Sequence, residues 1–299
     1  MAKKEKEDVA GSRMIMSTGY KVFTVFNVIL MLIISAAMLY PFLYLVAQSF
    51  SSTEAIVAGE VGIIPVGFSV STYVYVLTQS IFLPSYKNTI IYSIVGTVLA
   101  LTLSSLLAYP MSQPELRGNK VLGPFIIFTM YFGGGMIPNY ILMVSLGLKD
   151  TAAAFILPGL ISTYYVILMR SFFETVPKEL EEAGEIDGLS RFGAFIHIAL
   201  PMSKPIIATM TLFYLVQYWN DWWNAFLYLD SRSKWPVAYY LRSLITSSSS
   251  STDDAGEAMT VAANIKSCAM VLTAAPIICV YPFIQKYFVA GMMLGGVKG

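Results

Sequence analysis

Residues 170–205 read RSFFETVPKELEEAGEIDGLSRFGAFIHIALPMSKP, a charged island between two long apolar stretches. A passive tether would be polar and rich in breakers. This segment instead carries the marks of two short helices with a turn between them. Pro177 suits a first helical turn, where a missing N–H costs little. Glu179, Glu181, Glu182 and Glu185 follow, and acids favour that end of a helix dipole. Gly188 suits a helix stop. A second helical stretch, about 190–199, has Phe192, Phe195 and Ile196 at helical spacing. Leu200 and Pro201 are expected to end it, and Pro205 to start the next apolar run.

Outward from this island the chain is almost free of charge. Hydrophobic residues make up 56% of its 299 residues, charged residues 12%, and mean hydropathy is +0.66. A soluble domain carries roughly 25% charge, so a soluble chain of this composition lacks the charge to cover its surface. Disorder fails for the same reason. With 21 Gly, 14 Pro and 2 Cys, collagen-like and disulfide-scaffold classes fail too. The formal charge of +1 gives no hint of nucleic acid. What remains is an integral membrane protein, and the long apolar runs that follow make an all-α fold the expectation.

A membrane-crossing helix needs about 20 mostly apolar residues, and the gaps between charges supply six. They lie at about 22–46, at about 89–111, between Lys120 and Lys149, between Asp150 and Arg170, from Lys204 past Asp221 to about Leu229, and between Lys266 and Lys286. A further charge-free gap, from Glu60 to Lys87, holds Gly62, Pro65, Gly67, Gln79 and Pro84 among many Ser and Thr. It reads as a partly helical external loop. The division is therefore a tail at 1–21, a six-span domain at 22–290 with the charged island at 170–205, and a tail at 291–299.

Lys and Arg in short loops set orientation. The N-terminal tail, the loop with Arg117 and Lys120, the 170–205 island and the tail with Lys286 and Lys298 fall on one side, which is therefore cytoplasmic. Both termini are expected inside. The first stretch is too long for a signal peptide and no small-residue cleavage site follows it. Cys268 and Cys279 lie too far apart on one helix to bridge and read as small apolar fillers. The run 247–252, six Ser or Thr, reads as a flexible external linker. Gly133, Gly134 and Gly135 with Pro138 should loosen the third span. Broken backbone at membrane depth is tolerated only against protein or water, so the run either lines a pathway or lets helices pack closely.

Ionisable residues inside membranes mark ion or proton routes, and here Asp221 is the one acid near a span. There is no phosphate-cradling G-x-x-x-x-G-K-[ST], no H-E-x-x-H and no G-x-S-x-G. His197 has no second metal ligand near it and reads as a structural or surface residue. No catalytic and no metal-ligating residue is expected. An intramembrane enzyme needs convergent polar groups and an ion-coupled carrier needs a charged relay; the chain offers neither. Any uphill transport must draw energy from a partner.

The island's first helix shows a small face, Leu180, Ala183, Gly184 and Asp187, ringed by acids. A lipid-facing helix is usually basic, so a protein partner is the better reading. The order Glu182-Ala183-Gly184, Asp187-Gly188, then Leu200-Pro201 resembles the cytoplasmic "EAA" loop of permease subunits of binding-protein-dependent ABC importers. The pattern is roughly E-A-A-x-x-D-G, a gap, then I-x-L-P before a span. Gly184 departs from it, small for small. The six spans and the place of the loop are similar to the sugar-importer class that includes the smaller maltose permease subunit. The stretches MYFGGGMIPNYILMVSLGLKDT and QKYFVAGMMLGGVKG resemble a subgroup associated with complex oligosaccharides and polysaccharide fragments.

The resemblance implies a type I importer permease in a prokaryotic cell membrane. It pairs with a second, homologous permease, two ATPase subunits and an extracellular solute-binding protein. It implies that ATP and Mg bind on the ATPases and no cofactor on this chain. It implies that the island's first helix docks on the ATPase, and that Lys298 and Gly299 contact the ATPase pair. It implies a carbohydrate solute, an oligosaccharide by the two stretches just quoted, with a peptide or amino acid as the alternative. Late in span five, Tyr218-Trp219-Asn220-Asp221-Trp222-Trp223-Asn224 sets amides and an acid among aromatics. An interfacial aromatic belt explains the Trp residues. It explains Asn220, Asp221 and Asn224 less well. Trp219, Asn220, Asp221, Trp223, Asn224 and Gly134 are the candidate pathway residues.

Overall fold

The computed structural model describes residues 18–249, 264–280 and 282, and within them the regular structure is helical. The chain runs through α1 (Thr18–Ser49), two short helices α2 (Thr53–Val57) and α3 (Ser71–Thr78), and the long α4 (Phe82–Ser112). Then come α5 (Asn119–Tyr131), α6 (Met136–Ser145), α7 (Ala152–Ile156) with a 3₁₀ turn at Leu157–Gly159, and α8 (Thr163–Phe173). The charged island holds α9 (Lys178–Ile186), α10 (Arg191–Ala194), a π-turn at Phe195–Ala199 and α11 (Leu200–Met202). The chain continues through α12 (Lys204–Asn220), α13 (Trp223–Tyr228), α14 (Val237–Ser249) and α15 (Asn264–Val280). The six expected spans fall on α1, α4, the bent pairs α5–α6 and α7–α8, α12 and α15, an arrangement consistent with a six-span architecture.

The centre is α4, with α12 and α8 lying against it. Its inward face is small: Ser93, Gly96, Ala100, Ser104 and Ala108 are buried. Small side chains let a neighbouring helix come close in an apolar medium, where dispersion and hydrogen bonds replace the hydrophobic drive. The large side chains come from α12. Tyr214 and Tyr218 are almost wholly buried and need partners for their hydroxyls. Tyr214 shares a 2.6 Å hydrogen bond with Ser104, and Tyr218 donates to the Ile156 carbonyl at 3.0 Å. The Gly159 carbonyl accepts from Gln217 at 3.4 Å. The backbone groups freed where α7 and α8 meet at 50° are thus taken up by α12 side chains.

The third span breaks as its glycines suggested, and by more. The axes of α5 and α6 meet at 105°. Gly135 has φ 87° and ψ 174°, a region open essentially to glycine alone. A Cβ on Gly133 or Gly135 would meet nothing within 4 Å, so within this chain the run serves the turn and not tight packing.

Several expectations need correction. Span two begins at Phe82 rather than Thr89, because Pro84 sits in the first turn, where no N–H is required. The rest of 60–87 is indeed loop with the short α3. Helix α1 is described from Thr18 onward. Span five stops at Asn220 and does not reach Leu229. The Asp221 carboxylate accepts from the Asn224 backbone N–H (3.0 Å) and side-chain amide (2.6 Å), a turn that ends α12 and opens α13. Leu200-Pro201 does not end the island's second helix. The helix widens into a π-turn, runs through Pro201 and bends by 82° at Ser203. The first residues of the Ser/Thr run, 247–249, are the last of α14, and the remainder lies outside the described residues, as do Lys286, Lys298 and Gly299. Cys268 is buried and Cys279 exposed.

Candidate functional site: an anchored arm and an aromatic mouth

The island folds as an arm across one end of the bundle. Pro177 precedes α9, and Glu179 and Glu181 stand in its first turn. At its far end the Leu189 N–H bonds the Gly184 carbonyl (2.9 Å) and the Gly188 N–H bonds the Glu185 carbonyl (3.0 Å). With Gly188 at φ 89°, this pair is a Schellman stop. Leu189 packs back on Gly184, the apolar contact that accompanies the motif. Ser190 then caps α10, its hydroxyl accepting from the Gly193 N–H at 3.1 Å.

Two polar clamps and one aromatic cluster hold the arm to the bundle. Tyr109 and Gln113, at the end of α4, each donate to the Glu181 carboxylate at 3.2 Å. Arg191 pairs with Glu115 at 2.8 Å and with Glu185 at 3.6 Å. The hydrogen bond from Arg191 holds the Glu115 carboxyl below its usual range. Phe195 packs on Tyr109 and Phe173, with ring centroids 4.9 and 6.3 Å apart. Between the arm and α4 lies a cavity of about 300 Å³ lined by Tyr109, Gln113, Glu181, Arg191 and Phe192 among others.

The arm's residues divide into two sets. Glu182, Ala183, Asp187 and Gly188 are exposed, and so are Leu180 and, at 87%, Ile186. Gly184 turns inward, which corrects its place on the outward small face. A Cβ there would stand 2.7 Å from Ile198 Cδ1 and 3.1 Å from Leu189 Cδ1. Leu200 is half-buried on the core and Pro201 exposed. The exposed surface therefore joins an acidic rim to an apolar ridge. His197 is exposed, its Nδ1 3.0 Å from the Gly193 carbonyl, in keeping with a surface role. Nothing in the sequence pointed to Tyr109 or Gln113, because nothing local ties the end of α4 to a helix about 70 positions on. The exposure of Ile186 was readable in principle from its place opposite Gly184 on α9.

The start of α4 marks the opposite end of the molecule. Asn88 donates to the Ser233 carbonyl (2.7 Å) and Tyr92 to that of Lys234 (3.1 Å). Here Asp150, with a φ of 58°, clasps the 229–235 segment to the turn before α7. Its carboxylate accepts from the Asp230 N–H (3.1 Å), the Ser231 N–H (3.0 Å), the Ser231 hydroxyl (2.6 Å) and Lys234 Nζ (2.7 Å). These bonds hold the Asp150 carboxyl well below the usual carboxylate range. Lys149 pairs with Asp230 at 3.0 Å.

The candidate pathway residues do not act as one group. Trp219 is buried, its indole N–H donating to the Thr273 carbonyl at 3.1 Å and its ring edge-on to Tyr86. It anchors α15 to α12 and offers no surface in this conformation. Asn220 is exposed and bonded to its own helix at Val216. Asp221 and Asn224 satisfy each other. Trp223 is 44% exposed. Gly134 lies in the break, exposed, with only Pro138 near its missing Cβ. The break and the aromatic segment are nevertheless neighbours through α6, where Tyr140 stacks on Tyr228 at 6.2 Å.

Comparison with known proteins fits this architecture. Residues 9–293 match the family described as "Binding-protein-dependent transport system inner membrane component". Protein LplC of Bacillus subtilis is 41% identical over 283 residues, covering 93% of this chain and 96% of the relative. The polygalacturonan/rhamnogalacturonan transport system permease protein YtcP of the same organism is 40% identical over 263 residues, covering 87% and 92%. A crystallised bacterial ABC transporter involved in the import of the acidic polysaccharide alginate contains a chain 32% identical to this one. The two superpose with a TM-score of 0.84 over 91% of this chain and 99% of that one.

Proposed function

The chain belongs to the binding-protein-dependent transport system inner membrane component family, and from that premise we propose that it is the membrane-spanning subunit of an ABC importer that carries an oligosaccharide into the cell. It is a transport permease subunit and not an enzyme. The carbohydrate transport named for YtcP and for the alginate importer favours a sugar over a peptide or amino acid. The solute-binding protein delivers the sugar at the Asp150 end, which faces outward. The arm faces the cytoplasm with both chain termini, following the Lys and Arg of the short loops. A second, homologous permease completes the pathway, and two ATPase subunits supply the energy, with ATP and Mg held on them.

The observation that carries this reading is the way the arm is built. Glu181 and Arg191 bind it to the end of α4, and the bend at Ser203 joins it directly to α12. Its outer surface of Glu182, Ala183, Ile186 and Asp187 is left bare. A partner gripping that surface moves α4 and α12 together. Their packing through Gly96, Tyr214 and Tyr218 is tight, and packed cores switch between arrangements rather than deform continuously. ATP binding closes the ATPase pair and draws the arm inward, the bundle opens outward to receive sugar, and hydrolysis resets it.

The test is reconstitution. The chain is expressed with its second permease, the ATPases and the binding protein, and ATP-driven uptake of a labelled oligosaccharide is measured in proteoliposomes. Uptake that requires the ATPase and the binding protein is expected. Concentration of solute by this chain alone, or an arm accessible only from outside in a membrane-impermeant cysteine-labelling experiment, would overturn the reading.

A further inference from the structure

Two bases at the Asp150 end are committed: Lys149 to Asp230 and Lys234 to Asp150. Arg232 and Arg242 differ. Among the described residues neither meets a carboxylate, and each guanidinium lies over an indole. Arg242 stands 4.5 Å from the Trp222 ring centroid and Arg232 5.8 Å from that of Trp235. The two indoles are the ends of one aromatic run. Trp235 packs on Tyr239 at 4.4 Å, Tyr239 meets Phe226 at 6.2 Å, and Phe226 meets Trp223 at 5.8 Å and Trp222 at 6.5 Å. Phe226 is 54% and Trp223 44% exposed, so the middle of the run is open. Asp221, the acid beside Trp222, has its carboxylate occupied by Asn224, and Asp230 is paired with Lys149.

Resting on the carbohydrate reading above, we infer that this aromatic track, with Arg242 and Arg232 at its two ends, is a subsite at the mouth for an oligosaccharide that carries carboxylates. Pyranose rings present apolar C–H faces that lie on exposed aromatic rings. A guanidinium presents a planar fork that takes a carboxylate through two parallel hydrogen bonds. Stacking on an indole fixes the plane of that fork and leaves its N–H edge free. A headgroup belt would account for the rings, but it gives no reason for a cation at each end of a continuous run.

The experiment uses the whole complex of both permeases and the ATPases in phosphatidylcholine nanodiscs, with calorimetric titration of tetragalacturonate and of the uncharged galactose tetramer of the same linkage. The acidic tetramer is expected to bind more tightly. Arg242→Gln should weaken it at least tenfold while moving the neutral tetramer less than twofold. Arg242→Lys should fall between, keeping the charge without the fork, and Trp223→Ala should weaken both sugars. Equal affinity of the two tetramers for the unaltered complex, equal loss of both in Arg242→Gln, or no loss of the acid there would overturn the subsite. So would competition by anionic lipid that the acidic sugar cannot reverse. In those cases ATP-driven uptake of neutral oligosaccharide would leave the carbohydrate reading standing; import of a peptide with no sugar uptake would sink both.

Discussion

Replacing Gly188 tests whether the arm must keep its shape. Gly188 has φ 89°, and a Cβ there would meet nothing within 4 Å. The cost of a side chain is therefore in the backbone alone. For an ordinary L-residue the left-handed region costs roughly 1–2 kcal/mol, which alters a population by about 5- to 30-fold. The bonds at stake are Leu189 N–H to Gly184 O and Gly188 N–H to Glu185 O, which turn the chain from α9 into α10. In Gly188→Val the stop opens, and Arg191 loses its register with Glu115. The assay is ATP-driven uptake in proteoliposomes beside ATPase stimulation by the loaded binding protein. Uptake should fall at least fivefold with membrane yield unchanged. Gly188→Asn should remain within about twofold of the unaltered protein, because Asn visits the left-handed region readily. Full uptake by Gly188→Val would refute the reasoning. Equal damage from Val and Asn would show that a bare glycine surface, and not backbone shape, is what the partner requires.

Two further substitutions probe the bundle. Gly96→Ala places a methyl 2.7 Å from Cε2 and Cζ of the buried Tyr218 ring. Overpacking costs about 1–3 kcal/mol, and displacement of the Tyr218 hydroxyl from Ile156 adds about 1 kcal/mol. Thermal unfolding of the detergent-solubilised complex should shift down, and the shift should shrink when Tyr218 is also made Leu. Asp150→Asn removes the charge that gathers Ser231 and Lys234 and should destabilise the Asp150 end by about 1–2 kcal/mol near neutral pH, with one acceptor oxygen retained. Because the folded carboxyl lies well below its ordinary range, the stability it adds is full above the unfolded value near 4 and fades as pH falls further. The difference between variant and parent, followed by melting temperature from pH 7 downward, should therefore narrow below about pH 4.

Much of the fold was open to reading because membranes punish charge. The absence of ionisable residues over lengths of about 20 residues marked each span, and the glycines at 133–135 marked the break in the third. The arm's two helices were legible from Pro177, the run of Glu and Gly188, which are local signals. Where expectation failed, a tertiary contact or a neighbouring side chain had decided. Span five read as long because 222–229 is apolar, yet Asp221 turns on Asn224 and ends it. Leu200-Pro201 read as a stop, yet the preceding residues absorb the missing N–H in a π-turn packed on Tyr109 and Phe173. Trp219 read as exposed to solute, yet its indole is committed to Thr273. Gly184 read as outward, yet Ile198 and Leu189 close over it.

The sequence by itself determined that this chain lies in a membrane, where it crosses, and that it carries an acidic arm with the residue order of an importer's coupling loop. Those features depend on composition and on spacing within one turn or one span. Only the tertiary structure decided what holds the arm, which of its residues remain bare, and which cations at the other end meet no acid among the described residues. Tyr109 and Glu181, Asp150 and Lys234, or Arg242 and Trp222 meet because helices pack. Such pairings depend on the angles at which α5, α7 and α12 bend, and no local periodicity encodes those angles.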